Sequence, residues 1–241
     1  YVPLISFLVF SNVIVSDDVE EVVVTGSYIK GSPTDGASPV ELYDRSTIEA
    51  IGAVNVADIT ANIAVNSGSE NQADSFTSGA LQGRTNVNLR GLGLSSTLVL
   101  FDGRRQTVAG ATANDGSVFV DTSAIPIIAL ERVEVLKEGA ASIYGSDAVA
   151  GVVNYIFRRD FTGFEVDITT QETDLGDSKD RRGSFIWGGE SGDTNLVVAY
   201  STLDRSPLSQ SELELAPLGV SGLGTSFLLF LSLIHISEPT R

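Results

Sequence analysis

Apolar and polar residues alternate along three segments that follow residue 160. Their apolar members are Phe164, Val166, Ile168, Phe185, Trp187, Leu196, Val198 and Tyr200. Because successive side chains of a β-strand point to opposite faces, the alternation predicts three strands separated by Gly- and Asp-rich turns. Strands with one apolar and one polar face are typical of a transmembrane barrel wall. An ordinary antiparallel meander shows the same pattern, and these strands alone favour the meander.

Short β-prone and helical segments alternate in the region that precedes these strands. The predicted strands are 40–43, 87–90, 97–101, 132–136 and 151–157. The sequence predicts short helices at 46–51 and 55–62, and another after Ile125. Ser46 is the predicted N-cap of the first helix, and Glu49 would complete its capping box.

Two kinds of connection join these elements. Residues 66–86 and 106–118 are polar and lack periodicity, which predicts two long loops. Nine of the thirteen residues of 139–151, between two apolar β-prone segments, are Gly, Ala or Ser. Small residues let another main chain approach closely, and Gly also permits tight turns. Soluble α/β proteins use such connectors where a helix meets a sheet, so the connector alone leaves both interpretations open.

Composition excludes several functions. The net charge of −16 argues against binding a nucleic-acid phosphate backbone. The chain has no Cys and only His235, so disulfides, thiolate metal sites and most imidazole chemistry are not available. The Gly-x-Gly of residues 90–96 lacks the rest of a dinucleotide-binding motif. Asp174, Asp177 and Asp180 do not have EF-hand spacing, so we expect no catalytic site, metal or cofactor.

Both ends of the chain differ from the region between them. Residues 1–16 are apolar and too short for a spanning helix, which predicts the remnant of a signal peptide or a buried strand. Residues 218–241 abandon the preceding pattern and end in SLIHISEPTR, which resembles translated sequencing-adapter read-through. We expect this tail to be non-native. Since Met is absent as well, we interpret the chain as a fragment.

Six motifs between residues 20 and 163 occur in a characteristic order. They are EEVVVTG, VNLRGLG, TLVLFDGRR, VDTSAIP, ERVEVLKEGAASIYGSDAVAGVVNYI and RRDFTG. In this order they resemble the plug domain of TonB-dependent outer-membrane receptors. The long fifth motif is highly specific, whereas LRGLG alone would be weak. The resemblance covers roughly three fifths of the chain.

In that family a barrel of about 22 strands encloses its plug. The resemblance therefore implies an α+β plug domain, a small mixed sheet with short helices, followed by the first antiparallel strands of a transmembrane β-barrel. It implies a TonB box and linker at 17–30, the plug at 31–160 and truncated barrel strands at 161–217. The implied function is energy-coupled uptake of a siderophore, cobalamin or oligosaccharide through the cell outer membrane. The implied partners are a TonB-type periplasmic protein, the substrate and outer-membrane lipid.

The resemblance also implies roles for individual residues. The TonB box would be Glu21, Val22, Val23, Val24 and Thr25. The ion pairs between plug and barrel would use Arg90, Arg132 and Glu134. The loops that touch substrate would use Gln82, Arg84, Leu94, Ser95, Thr107, Asn114 and Asp115. A β-branched segment can add as a strand to the sheet edge of a partner. Residues 21–25 also fit the first strand of the plug. Arg90, Arg132 and Glu134 also fit a solvated strand face.

Two rival functions remain open from the residues alone. A secreted β-rich binding module would use the long polar loops for recognition, and its gene would end without further barrel strands. A periplasmic enzyme would need catalytic side chains, and the sequence shows none.

Overall fold

A computed structural model describes residues 40–70, 83–172, 179–192 and 194–206 of the chain. The strands are β1 (Val40–Asp44), β2 (Thr97–Phe101), β3 (Arg104–Arg105), β4 (Leu130–Leu136), β5 (Gly151–Phe157), β6 (Gly163–Glu172), β7 (Lys179–Ser191) and β8 (Thr194–Arg205). The α-helices are α1 (Arg45–Ile51), α2 (Val56–Ala61) and α3 (Ala141–Tyr144). A mixed sheet with short helices is thus followed by antiparallel strands, which confirms the expected fold class.

The first sheet is mixed and has the strand order β1-β4-β5-β2-β3, with only β2 and β5 parallel. One face carries the main core, in which Val133, Val153 and Tyr155 are fully buried. The other face carries a smaller core around Leu98 and Leu100. Burial raises the pKa of Tyr155 to about 12, so its phenol stays neutral inside the main core.

The two predicted helices are present, but the first begins differently from the prediction. Ser46 is not its N-cap, because the Asp44 carboxylate accepts the N–H of Thr47 at 2.8 Å. The Ser46 hydroxyl instead donates to Asp44 at 2.9 Å. Hydrogen bonds from Thr47 hold the pKa of Asp44 below its usual value. Glu49 pairs with Arg45 at 2.7 Å rather than closing a capping box.

The predicted strand at 87–90 is wrong. Leu89 forms a single isolated bridge with Asn66, and its N–H donates to the Thr97 hydroxyl at 2.9 Å. Arg90 has a φ of 58°, which turns the chain away from any continued pairing. The helix predicted after Ile125 is a single 3₁₀ turn, Ile127–Ala129.

The small-residue connector folds back over the smaller core. It contains α3 and a 3₁₀ turn at Ser146–Ala148. A Cβ on Gly139 would lie 2.9 Å from the Val149 carbonyl oxygen, so the connector approaches its own main chain closely. Arg105 fixes it from the neighbouring strand by donating to the Tyr144 carbonyl and to Asp147 at 2.6 Å. The same guanidinium holds the pKa of Asp147 below its usual value.

The second sheet has the order β6-β7-β8 and shows the predicted alternation of its two faces. All eight apolar residues of the pattern are exposed, from 36% for Phe185 to 81% for Ile168. On the opposite face Ser184 and Ile186 are buried. In the described part of the chain, no helix has the length and apolar character needed to cross a membrane.

Candidate functional site at the contact between the two sheets

Arg182 on β7 joins the second sheet to the turn between α1 and α2. Its Nη1 donates to the carbonyl oxygen of Ala53 at 2.7 Å and to that of Val54 at 3.2 Å. Its Nη2 lies 2.6 Å from an Asp167 carboxylate oxygen and 3.0 Å from the Thr169 hydroxyl, both on β6. The Arg182 side chain is only 10% exposed and its Asp167 partner is 35% exposed, so a mostly buried cation is paired with a carboxylate that water still reaches.

A second group of charges crosses the same boundary beside α1. Glu165 on β6 accepts hydrogen bonds from Arg45 at 3.1 Å and from Arg158 at 2.9 Å. Arg45 also donates to the carbonyl oxygens of residues 127, 128 and 130. The Arg158 guanidinium carbon lies 4.3 Å from the ring centre of Phe161, a cation–π contact. One carboxylate of the second sheet thus bridges Arg45 of α1 and Arg158, which follows β5.

A cavity of about 270 Å³ lies where the sheets meet, beside Arg182. It is lined by Val54, Asn55, Ser123, Ile125, Ile127, Arg182, Ser201 and Leu203. The Arg182 donors are already engaged by the groups named above, so the lining offers no uncommitted charge. A polar space of this size suits several water molecules, since each occupies about 30 Å³ in the liquid.

Arg132 and Glu134, predicted to link plug and barrel, pair with each other on β4 at 2.9 Å. Glu134 is fully buried and Arg132 is 7% exposed. Glu131 adds a second carboxylate 2.7 Å from Arg132, and Asn154 on β5 donates to Glu134 at 3.5 Å. Arg90 is exposed in the turn after Leu89 and is not part of this pair. A role of these residues toward a barrel stays a prediction.

The residues predicted to touch substrate fall into different environments. Gln82 lies outside the described residues, as do the TonB-box residues 21–25. Ser95, Thr107, Asn114 and Asp115 are exposed, and Arg84 is half-buried. Leu94 is buried and packs with Ala113 and Phe119. It therefore packs against Ala113 of the 106–118 loop instead of facing solvent.

The 106–118 loop is shaped by its own polar groups. The main-chain N–H and the hydroxyl of Ser117 donate to Asp115 at 2.8 and 2.6 Å and lower its pKa. The main-chain N–H of Asn114 donates to Glu70 at 3.1 Å, which ties the loop to the other predicted loop. Within the described ranges, no group of acidic and His side chains is arranged to hold a metal ion.

Sequence reasoning missed the residues that join the two sheets. Alternation placed Glu165 and Asp167 on the polar face of β6, yet it named no partner for them. Arg182 contacts a carbonyl that lies 129 residues earlier in the chain. The only available signal was a set of charges on the polar face of strands whose other face is apolar.

Comparison with known proteins shows which family the first domain resembles. Residues 32–152, half of the chain, match the family model described as the TonB-dependent receptor plug domain. An iron-regulated outer membrane virulence protein of Vibrio cholerae serotype O1 is 32% identical over 126 residues. That match covers 50% of this chain and 19% of the relative's length.

Solved structures support the fold at lower identity. The unliganded ferric citrate transporter matches with a TM-score of 0.56 at 21% identity, over 71% of this chain and 26% of that chain. A mutant ferric enterobactin receptor of Pseudomonas aeruginosa, in complex with enterobactin, matches with a TM-score of 0.52 at 22% identity. It covers 74% of this chain and 26% of that chain. Because the family model spans half of its length, the chain belongs to the TonB-dependent receptor plug-domain family, whose members are parts of transporters rather than enzymes.

Proposed function

We propose that the described residues form the plug and first wall strands of an outer-membrane receptor that imports an iron chelate with energy from TonB. The plug would comprise residues 31–160, and β6, β7 and β8 would begin the wall. The chain spans 19% of the length of the curated relative that it matches, so this proposal concerns the whole receptor.

The observation that carries the proposal is the opposite character of the two faces of β6–β8. Eight apolar side chains point away from the plug and are exposed. The polar face meets the plug through Arg182, which donates to the Ala53 carbonyl, and through Glu165, which accepts from Arg45. A wall that separates lipid from an enclosed polar plug needs this arrangement, because lipid requires an apolar surface. A secreted binding module would expose the same apolar residues to water, at a cost in solubility.

The mechanism follows from the position of the plug. Substrate would bind to the exposed loops that contain Ser95, Thr107 and Asn114. The segment at residues 21–25 would add as a strand to the sheet edge of a TonB-type protein, which binds through main-chain hydrogen bonds. Force on that segment would then displace plug residues and open a path through the barrel.

An iron chelate is the substrate class that the relatives favour. The Vibrio cholerae relative is named as iron-regulated and as an outer-membrane protein. The polar, Gly-containing loops of this chain do not by themselves distinguish a siderophore from cobalamin or an oligosaccharide.

Uptake by the intact receptor tests the proposal. We expect deletion of the gene to abolish accumulation of radioactive iron from at least one of three chelates, a catecholate, a hydroxamate or citrate. Cobalamin uptake should be unchanged, and a strain that lacks TonB should show the same defect. Unaltered iron uptake from all three chelates, or recovery of the receptor in the culture medium, would refute the proposal.

A further inference from the structure

We propose that Arg182 is the wall residue that positions the plug, by docking the turn between α1 and α2 through main-chain carbonyl groups. This inference rests on the proposed function only in treating β6–β8 as wall and the first sheet as plug. It assigns a role to a residue that neither the motifs nor the predicted ion pairs include.

The plug side of the contact is main chain. The two acceptors, the carbonyls of Ala53 and Val54, lie after Gly52, the C-cap of α1, and before α2 begins at Val56. Carbonyl groups between helices have no partner along a helix and need an external donor when buried. Ala53 and Val54 are 6% and 2% exposed, so Arg182 supplies that donor.

The wall side of the contact is held by residues of the second sheet. Asp167 accepts from Nε at 3.2 Å and from Nη2 at 2.6 Å, and Thr169 accepts from Nη2 as well. Both residues lie on β6, which pairs with β7 beside Arg182. The wall therefore orients the guanidinium and neutralises it, which leaves Nη1 directed at the plug. A planar group with two ends is required for this division, and lysine has only a single charged nitrogen.

The other crossing arginine is less suited to fix the plug. Arg45 and Glu165 have side chains that are 30% and 36% exposed. Water and salt screen such a pair, so its contribution to docking is small. Arg182 is buried to a greater degree and binds acceptors that no plug side-chain substitution removes.

The test is a distance measurement in the intact receptor, purified in its folded form. The 241 residues of the chain contain no Cys, and any Cys elsewhere in the receptor is replaced by Ser. Spin labels are then placed on the exposed residues Ala61 of α2 and Thr202 of β8 through Ala61→Cys and Thr202→Cys. Pulsed electron paramagnetic resonance then reports the distance between the label on the plug and the label on the wall. The variants are Arg182→Met, Arg182→Lys and the control Arg181→Met, which changes the neighbouring exposed arginine on the other face.

We expect a single narrow distance in the parent receptor and in Arg181→Met. Arg182→Met and Arg182→Lys should both show a second, longer distance, because Met has no donor and the one ammonium nitrogen of Lys cannot occupy the positions of both Nη1 and Nη2. A role limited to barrel folding would change heat-modifiable migration of the barrel and leave the distances in folded molecules unchanged. If Arg182→Met does not fold, Arg182→Lys, which keeps the charge beside Asp167, decides the question.

An unchanged narrow distance in folded Arg182→Lys or Arg182→Met would overturn the proposal. The measurement needs neither substrate nor TonB. A longer distance in a receptor that imports no iron would therefore retain the docking role and reject only the proposed transport.

Discussion

Glu134 is a charged residue at full burial in the middle of the plug sheet. A buried carboxylate is tolerated only when it is paired and hydrogen-bonded. Arg132 and Asn154 meet that need at 2.9 and 3.5 Å. The Asn154 side chain also accepts the N–H of Gly103 at 2.9 Å, which connects the pair to the turn after β2.

We predict that Glu134→Gln destabilises the sheet around β4 and β5 by about 3 kcal/mol, because it leaves the buried Arg132 charge only partly compensated. Glu131 is the matched control, because its side chain is 50% exposed and contacts the same guanidinium. Glu131→Gln should cost less than about 1 kcal/mol. Hydrogen exchange of the β4 and β5 amides in the intact receptor measures both values. Equal losses for the two variants would contradict a special role for the buried pair.

At the scale of single elements, the start of β5 depends on a close approach of two main chains. Gly151 begins β5 with a φ of 142°, and a Cβ there would overlap the Leu136 carbonyl and lie 2.8 Å from a Leu89 methyl group. We predict that Gly151→Ala greatly reduces the amount of folded receptor, because two main chains and a core side chain would have to separate.

Gly103→Ala is the control that separates steric overlap from backbone strain. Gly103 has a φ of 75° with open space around its Cα, so Gly103→Ala meets only the left-handed backbone strain. That strain costs about 1–2 kcal/mol. Heat-modifiable migration and yield of the two variants provide the measurement. A similar yield for both would show that the close approach at Gly151 does not matter.

The apolar face of β6–β8 should tolerate a new charge less well at its centre than at its edge. Val166 pairs with Phe185, which in turn pairs with Tyr200, in the centre of the apolar band. We predict that Val166→Arg costs about 2–4 kcal/mol, since the charge would face lipid.

Thr170 is the control position on the same face of β6. Its cross-strand partner is Arg181, so this level of the sheet is already polar. Thr170→Arg should cost about 0–1 kcal/mol. Reversible unfolding of the receptor from lipid vesicles measures the difference. Equal, small costs would indicate that the face meets water, as in a soluble meander.

Elements with a strong local signal could be predicted from the sequence. The alternation of Phe164, Val166 and Ile168 sets their common face, and the structure confirms it. The sequence pattern failed at the start of α1, where two possible N-cap residues lie two positions apart. Asp44 replaced Ser46 as N-cap because β1 ends directly before α1, and the carboxylate reaches the Thr47 N–H.

The contact between the sheets was beyond prediction because it depends on long-range packing. Arg182 and Ala53 lie 129 residues apart in the chain, and main-chain acceptors leave no trace in residue type. The resemblance assigned Arg132 and Glu134 to ion pairs between plug and barrel. In the described residues they pair with each other, and a role toward the barrel stays a prediction.

For the whole molecule, the proposed function requires that force reach the plug from its N-terminal side. Among the described strands, β1 is the first and lies at the edge of the mixed sheet, where it pairs with β4. An edge strand can separate from its sheet by breaking the hydrogen bonds along one side. Pull on residues 21–25 would therefore reach β1 before any other described element.

We predict that Val23→Pro abolishes iron uptake and leaves substrate binding intact. Strand addition to TonB uses main-chain N–H donors, and proline removes one donor and fixes φ. Ser27→Pro is the matched control, because it places the same ring in the Gly/Ser/Pro-rich linker, where no ladder is expected. Uptake of radioactive iron and equilibrium binding of the same chelate to whole cells provide the two measurements. If Val23→Pro cells accumulate iron at the parental rate, residues 21–25 are not the segment that TonB holds, and the N-terminal residues would instead belong to the plug sheet.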